Sequence, residues 1–286
     1  MTRLIVDSGC DTDEKMAKNY RYEVVPLSIS LKEHIYLDGL EISVDEVYDA
    51  MRQGIVPKTS QISYKSMVEA LEKCIEDGED AIYLALSSGL SGTYNLGRQV
   101  IETYQKKYPN KKFAAVDSKG GAGGETMIAL RALEMMKRQL PFEEIVEFMH
   151  WSTEHIEYRF TLSNLSWLVK GGRLPNTAAK IGTALNIYPY LGLNKGKIKL
   201  LKLFRGEKKV YRRMMSDVKE ATASFTDQMI VVSHAGDREG AEKTAAELQE
   251  IRPDATIRIF KISAVLGTHL GIGGVGVFFY NDKPKE

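Results

Sequence analysis

The sequence predicts a two-domain α/β protein, with an N-terminal doubly wound, mainly parallel sheet over residues 1–155 and a C-terminal α+β domain over 156–286. Three observations carry this. Short apolar runs alternate with amphipathic stretches through the first half, the pattern of parallel strands joined by helical crossovers. That pattern changes near Thr153–Arg159, and two later β-rich runs flank Asn194-Lys195-Gly196 as in an antiparallel hairpin. The chain has 286 residues, and single cores seldom keep growing beyond about 250 to 300 residues.

Leu4–Val6 is a short buried-strand pattern ending in Asp7-Ser8-Gly9-Cys10-Asp11, and Thr12–Asn19 reads as a helix with Asp11 near its start. Tyr22–Leu31 is β-rich, and Glu33–Gly39 returns the chain through a turn at Asp38-Gly39. Ser43 caps a helix running to about Gln53, with Asp45 and Glu46 in its first turn. Pro57–Ser63 is a polar, extended loop before the amphipathic helix Tyr64–Glu76. Ala81–Leu86 is a strand that runs through Ser87-Ser88-Gly89-Leu90-Ser91-Gly92-Thr93 into a helix. Lys112–Val116 is another strand, ending in Asp117-Ser118, and Lys119–Gly124 leads into a long helix bearing Met127, Leu130, Leu133 and Met136. Phe142–His150 is one more helix. Three strands thus end in serine-bearing turns, and in a parallel sheet those ends share one edge, where ligands bind.

In the second half Phe160–Ser163 is a short strand, Asn164–Val169 a helical segment and Lys170-Gly171-Gly172-Arg173 a turn. A helix at Asn176–Leu185 precedes the hairpin of Tyr188–Leu193 and Lys197–Phe204. Glu207–Ala223 and Glu239–Ile251 read as helices, Met229–Val232 and Thr256–Ile262 as strands. A glycine-rich loop, Gly267–Gly276, opens into the terminal strand Val277–Tyr280.

With 43% hydrophobic and 27% charged residues the composition is that of a soluble globular protein. The 39 basic and 38 acidic side chains nearly cancel, so no global field recruits nucleic acid or an anionic membrane. Cys10 and Cys74 are too few for a disulfide framework and lack zinc-ligand spacing. The N-terminal apolar run is too short for a signal-peptide core, and no segment approaches the roughly 18 apolar residues of a membrane span. A cytoplasmic protein is expected.

The turn at 87–93 is the strongest candidate site. A helix N-terminus offers unpaired N–H groups and a partial positive charge, which favour an anion. Gly89-Leu90-Ser91-Gly92-Thr93 misses the G-x-S-x-G nucleophile elbow because its second glycine comes one place early. No P-loop is present, and the strand at Leu4 is not followed by G-x-G-x-x-G. Ser91 as a simple helix cap is the plain alternative; three serines with two glycines in seven residues favour a ligand. Among the five histidines, His150 and His155 are wrongly spaced for a helical metal pair, whereas His269 stands among five glycines and is the functional candidate, with His234 second. Asp7 and Asp117 each end a strand, where a carboxylate usually caps a helix or holds a turn. Arg173 suits a phosphate or a partner's carboxylate. Between Lys195 and Arg213 nine basic residues face only Glu207, either a solvated edge or a docking face for an acidic protein or a membrane surface.

In order and spacing these pieces resemble the DegV family, bacterial fatty-acid-binding proteins that serve as the lipid-carrying subunit of a fatty acid kinase. The resemblance runs from about Leu4 to Phe279. It rests on Asp7, Ser8 and Asp11, on Val24–Leu27, Thr59-Ser60-Gln61, the Ser87–Tyr94 turn, Asp117-Ser118, Gly171-Gly172-Arg173 and the His269 loop. It implies two α/β domains with a long-chain acyl group buried between them. Thr59 and Ser91, with Gly92 beside it, would hold the carboxylate, and His269 would close over it. Arg173 would serve contact with the kinase subunit, which phosphorylates the carboxylate. Ser8, Asp117 and Arg205 are expected in support. The resemblance implies no turnover by this chain alone, no metal and no cofactor beyond the bound acid. Three positions depart from the family pattern: Ile62 and Ile272 stand where prolines are usual, and Ala122 where serine is frequent. Losing two prolines leaves those loops less preset in φ. The readings from other classes are an acyl- or phosphoryl-transfer enzyme using Ser91 or His269, and a regulatory protein using the Lys195–Arg213 face.

Overall fold

The computed structural model describes residues 1–163, 165–175, 186–226 and 228–284. From the N-terminus run β1 (Thr2–Asp7), α1 (Glu14–Asn19), β2 (Tyr22–Val25), β3 (Ser28–Leu31), β4 (His34–Leu37), α2 (Val44–Arg52), β5 (Lys58–Ser60) and α3 (Tyr64–Glu76). Then come β6 (Asp80–Ala85), α4 (Thr93–Lys107), β7 (Phe113–Asp117), α5 (Ala122–Lys137) and α6 (Phe142–His155). The second half continues with β8 (Ile156–Leu162), α7 (Ser166–Lys170), β9 (Ile187–Asn194), β10 (Lys197–Arg205) and α8 (Glu207–Ala221). It ends with β11 (Met229–His234), α9 (Arg238–Ile251), β12 (Thr256–Lys261), α10 (Ala264–Leu270) and β13 (Gly274–Tyr280). The helix expected at Asn176–Leu185 lies outside the described residues.

The first half is an α/β layer, as its alternation predicts. Its four strands are all parallel, in the order β2-β1-β6-β7. The chain leaves β1 to β2 on one side and returns to β6 on the other, so the switch point lies between the carboxyl ends of β1 and β6. A small antiparallel sheet, β4-β3-β5, is appended. The second half has a six-stranded sheet, β10-β9-β8-β13-β11-β12, antiparallel except for the β11–β12 pair. The β9–β10 hairpin is there, turning through Lys195 and Gly196 at φ 48° and 75°.

One hydrophobic core runs from Leu4, Val6 and Leu84 of the parallel sheet to Val231, Phe260 and Phe278 of the second. Helix α5 lies between the two, buried almost all round its first three turns. Its glycines admit the second sheet: a Cβ on Gly123 would stand 2.5 Å from Val231 and Phe278. Ala122, which opens the helix, holds φ at 51°, a left-handed conformation costly for a residue with a Cβ.

Three local readings are corrected. Asp13, not Asp11, caps α1, accepting from the Met16 amide. Asp11 is instead buried and accepts from Ser233 Oγ of β11 at 2.6 Å. Lys58–Ser60, read as a loop, is a strand, because β3 offers an edge to which it pairs, Thr59 opposite Ile29. The start of the glycine-rich loop is helical: Gly267 is a poor helix former, but Val44 and Tyr48 of α2 pack so closely that a Cβ there would meet Val44 at 2.8 Å.

Burial raises the carboxyl of Asp11 to about 7. Its unfolded counterpart ionises near pH 4, so the folded state holds the extra proton and this group's contribution to stability falls as pH rises from about 4 to about 7. Asp11→Asn, which keeps an acceptor for Ser233, should gain stability relative to the unmodified protein between about pH 4.5 and pH 7.5 in urea unfolding. A difference that does not vary with pH would contradict burial as the cause.

Candidate functional site

Between the parallel sheet and the six-stranded sheet lies a cavity of about 470 Å³. Its walls are apolar, with Leu27 and Leu86 from the first half facing Phe160, Leu193, Val265 and Phe278 from the second. Thr59, Ser91, Gly92, Arg173 and His269 all border it. Four segments far apart in sequence are thereby brought to one cavity.

Thr59 arrives on β5, and its Oγ1 lies 2.8 Å from Nε2 of His269. His269 sits in the last turn of α10. Among the described residues its Nδ1 is buried without a hydrogen-bond partner, and Gly171 lies against that edge, where a Cβ would collide with Nδ1. This is why the chain carries glycine at 171, while Gly172 supplies the left-handed turn at φ 72°. Burial, with the nearby Arg173 cation second, pushes the imidazole pKa down to about 4. At neutral pH the ring is uncharged, one nitrogen donating and the other accepting.

Ser91 stands just before α4, whose N-cap is Gly92 without a side-chain cap. Ser91 Oγ lies 2.8 Å from Thr93 Oγ1 and accepts from the Thr93 amide at 3.3 Å. Thr93 Oγ1 also accepts from the Ile62 amide at 3.4 Å. Proline at position 62 could not donate that bond, and Ile62 is almost wholly buried, so packing and one amide hold the segment where a proline would have constrained φ. Arg173 is half-buried and reaches across to the same turn, Nε and one terminal nitrogen donating to the Leu90 carbonyl at 3.3 and 3.2 Å.

The supporting candidates lie elsewhere. Ser8 is buried and accepts from the Leu27 amide at 3.0 Å. Asp117 holds the turn itself, accepting from Ser88 N at 3.1 Å, Ser88 Oγ at 2.5 Å and Lys119 N at 3.0 Å. Arg205 is exposed at the end of β10, opposite Ile187. Ser87, counted among the serines of the turn, has a structural part that the sequence does not show: its Oγ donates to the Gly196 carbonyl at 2.8 Å and ties the turn to the β9–β10 hairpin. Sequence reading gave no role to Gln61, whose side chain packs on Gly92. Only its place in Thr59-Ser60-Gln61 could have marked it. Among the described residues no His, Cys, Asp and Glu cluster could hold a metal, and no helix is long and apolar enough to cross a membrane.

The Thr59 and Ser91 hydroxyls can hydrogen-bond an oxygen ligand beside the apolar cavity, with the neutral His269 imidazole bonded to Thr59 and the Arg173 guanidinium also lining the site. Ser91 is bonded to Thr93 and not to an imidazole, so the nucleophile–base pair of a hydrolase is not assembled. The electrostatics give a direct check. Followed by ¹⁵N NMR, His269 should titrate at about 4, and Arg173→Ala should move that value upward. Titration near 6.5, the ordinary histidine value, would contradict a desolvated ring.

The chain is 31% identical over 285 residues to a DegV domain-containing protein of Clostridium perfringens, covering 99% of this chain and 98% of that one. A fatty acid binding DegV family protein of Streptococcus agalactiae superposes with a TM-score of 0.84 at 29% identity, covering 100% of this chain and 99% of that one. The Streptococcus pneumoniae fatty acid kinase (Fak) B3 protein, solved loaded with linoleic acid, shares the fold, with a TM-score of 0.88 at 23% identity over 99% of this chain and 100% of that one. The family model described as uncharacterised protein, DegV family, matches residues 1–282. This chain belongs to the DegV family.

Proposed function

We propose that the protein binds a long-chain fatty acid in the cavity between its two sheets and presents the carboxylate to a separate kinase subunit, which converts it to an acyl phosphate. In this reading residues 1–155 and 156–286 are the two domains, and the acid is held between them. The observation that carries it is an apolar cavity of about 470 Å³ with Thr59, Ser91 and His269 together at its rim. Fatty acid binding by a DegV relative of 29% identity supports it. The energetics agree: each charge-assisted hydrogen bond to the head contributes about 1.5 to 3 kcal/mol, whereas burying each methylene contributes roughly 0.8 kcal/mol, on the order of 10 kcal/mol gross for a long tail. The tail holds the acid and the head orients it. Arg173 is assigned to the kinase step, since its guanidinium stands at the rim, where an incoming phosphoryl group would arrive. The protein supplies no nucleophile of its own and works in the cytoplasm. A transient contact with a membrane surface is favoured by β10, an edge strand exposing Lys197, Lys199, Lys202 and Arg205 beside exposed Leu201 and Leu203.

Native mass spectrometry of the purified protein incubated with palmitic acid should show a long-chain acid bound; recovery of the apo form alone would overturn the carrier reading. In calorimetry Thr59→Ala and Ser91→Ala should each weaken palmitate binding by roughly tenfold, one charge-assisted hydrogen bond. Unchanged affinity in both would remove the head-group assignment. In a reconstituted pair with the kinase, Arg173→Ala should slow phosphorylation by more than its loss of affinity accounts for. A normal rate at saturating lipid would refute that role.

A further inference from the structure

Asp38 reads from the sequence only as a turn residue before Gly39, yet its side chain leaves the turn and is 3% exposed. Its Oδ1 accepts from the Ala264 amide and its Oδ2 from the Val265 amide, both at 3.1 Å. These amides open α10, whose own N-cap residue, Ser263, makes no side-chain cap. The acceptor that a helix start requires therefore comes from the other half of the chain, 226 residues away. Asp38 is itself fixed, because its amide donates to the Leu27 carbonyl at 2.9 Å and the Leu27 amide donates to Ser8 Oγ at 3.0 Å.

Leu27 leads directly into β3, and β3 carries β5 with Thr59 opposite Ile29. One small sheet thus meets α10 at both ends. Asp38 holds the first turn, and Thr59 bonds His269 one turn beyond Val265 at 2.8 Å. Between these points Val44 and Tyr48 press on Gly267. A helix of seven residues has little intrinsic stability, so its external cap decides how it lies.

We propose that Asp38 is a positioning residue for His269: by capping α10 from the opposite half it fixes the angle and register at which the imidazole meets Thr59 and the ligand head group. This rests on the reading of His269 as a head-group residue, and it assigns Ser8 a supporting part, since its side chain bonds Asp38 as well as accepting from the Leu27 amide.

The test pairs a spectroscopic signature with a double-mutant cycle. In the ligand-free protein, Asp38→Asn should shift the ¹⁵N signal of His269 Nε2 away from its hydrogen-bonded position while circular dichroism stays unchanged. Palmitate affinity should fall by about fivefold to tenfold, the scale of a lost helix cap. In a His269→Ala background the same substitution should cost no further affinity. An unmoved imidazole signal, or an equal loss in both backgrounds, would overturn the proposal and leave Asp38 a purely structural cap. Should Asp38→Asn not fold, Asp38→Ser takes its place in both measurements. If the unmodified protein takes up no palmitate the lipid reading fails, and the imidazole signal still decides whether Asp38 positions the ring.

Discussion

An apolar gap between two sheets keeps its shape only where directional contacts at the rim hold the sheets in register, because apolar attraction fixes no direction. Directional contacts of this kind cross from one half of this chain to the other, besides the Asp38 cap of α10. Asp11 accepts from Ser233, Ser87 donates to the Gly196 carbonyl, Arg173 donates to the Leu90 carbonyl, and Thr59 meets His269. Helix α5 is the spacer between the sheets, buried on nearly every side and admitted to the second sheet by Gly123 and Gly124.

The same contacts that hold the gap also assemble its polar end. Thr59 and His269 bond each other, and Arg173 reaches the carbonyl of the turn that carries Ser91. Burial shifts groups taken out of water toward their neutral forms. The His269 ring stays neutral down to about pH 4, and burial holds the carboxyls of Asp7 and Asp11 up to about 6 and about 7. Ser91 and His269 each bond a hydroxyl and not one another.

Much of the fold was legible because it follows local rules. Alternating strand and helix patterns in the first half give a parallel sheet, and Asn194-Lys195-Gly196 gives a hairpin. Asp117 behaves as a turn-holding carboxylate, one of the roles local chemistry offers it. Thr59 was misread as part of a loop because a three-residue strand exists only where another strand offers an edge. The His269 segment was misread as a loop because glycine content speaks against a helix, while the side chains of Val44 and Tyr48 that make room for Gly267 lie far away in the chain.

What the sequence by itself determined is the strand and helix periodicity, the Ser43 cap and the turn at 87–93, which depend on neighbours within a few residues, together with the motif order that marks the family. Only the tertiary structure decided which of those polar residues meet. Asp7, Asp11, Asp117 and Asp38 look alike in sequence, each an aspartate at or near a strand end. Folding makes one a support for β6 through the Leu86 amide, one a link to Ser233, one a clamp on Ser88 and one the cap of a distant helix. The reason is physical. A carboxylate's role is set by the donors within about 3 Å of it, and for a buried group those donors come from chain segments that only the packing of two sheets brings near.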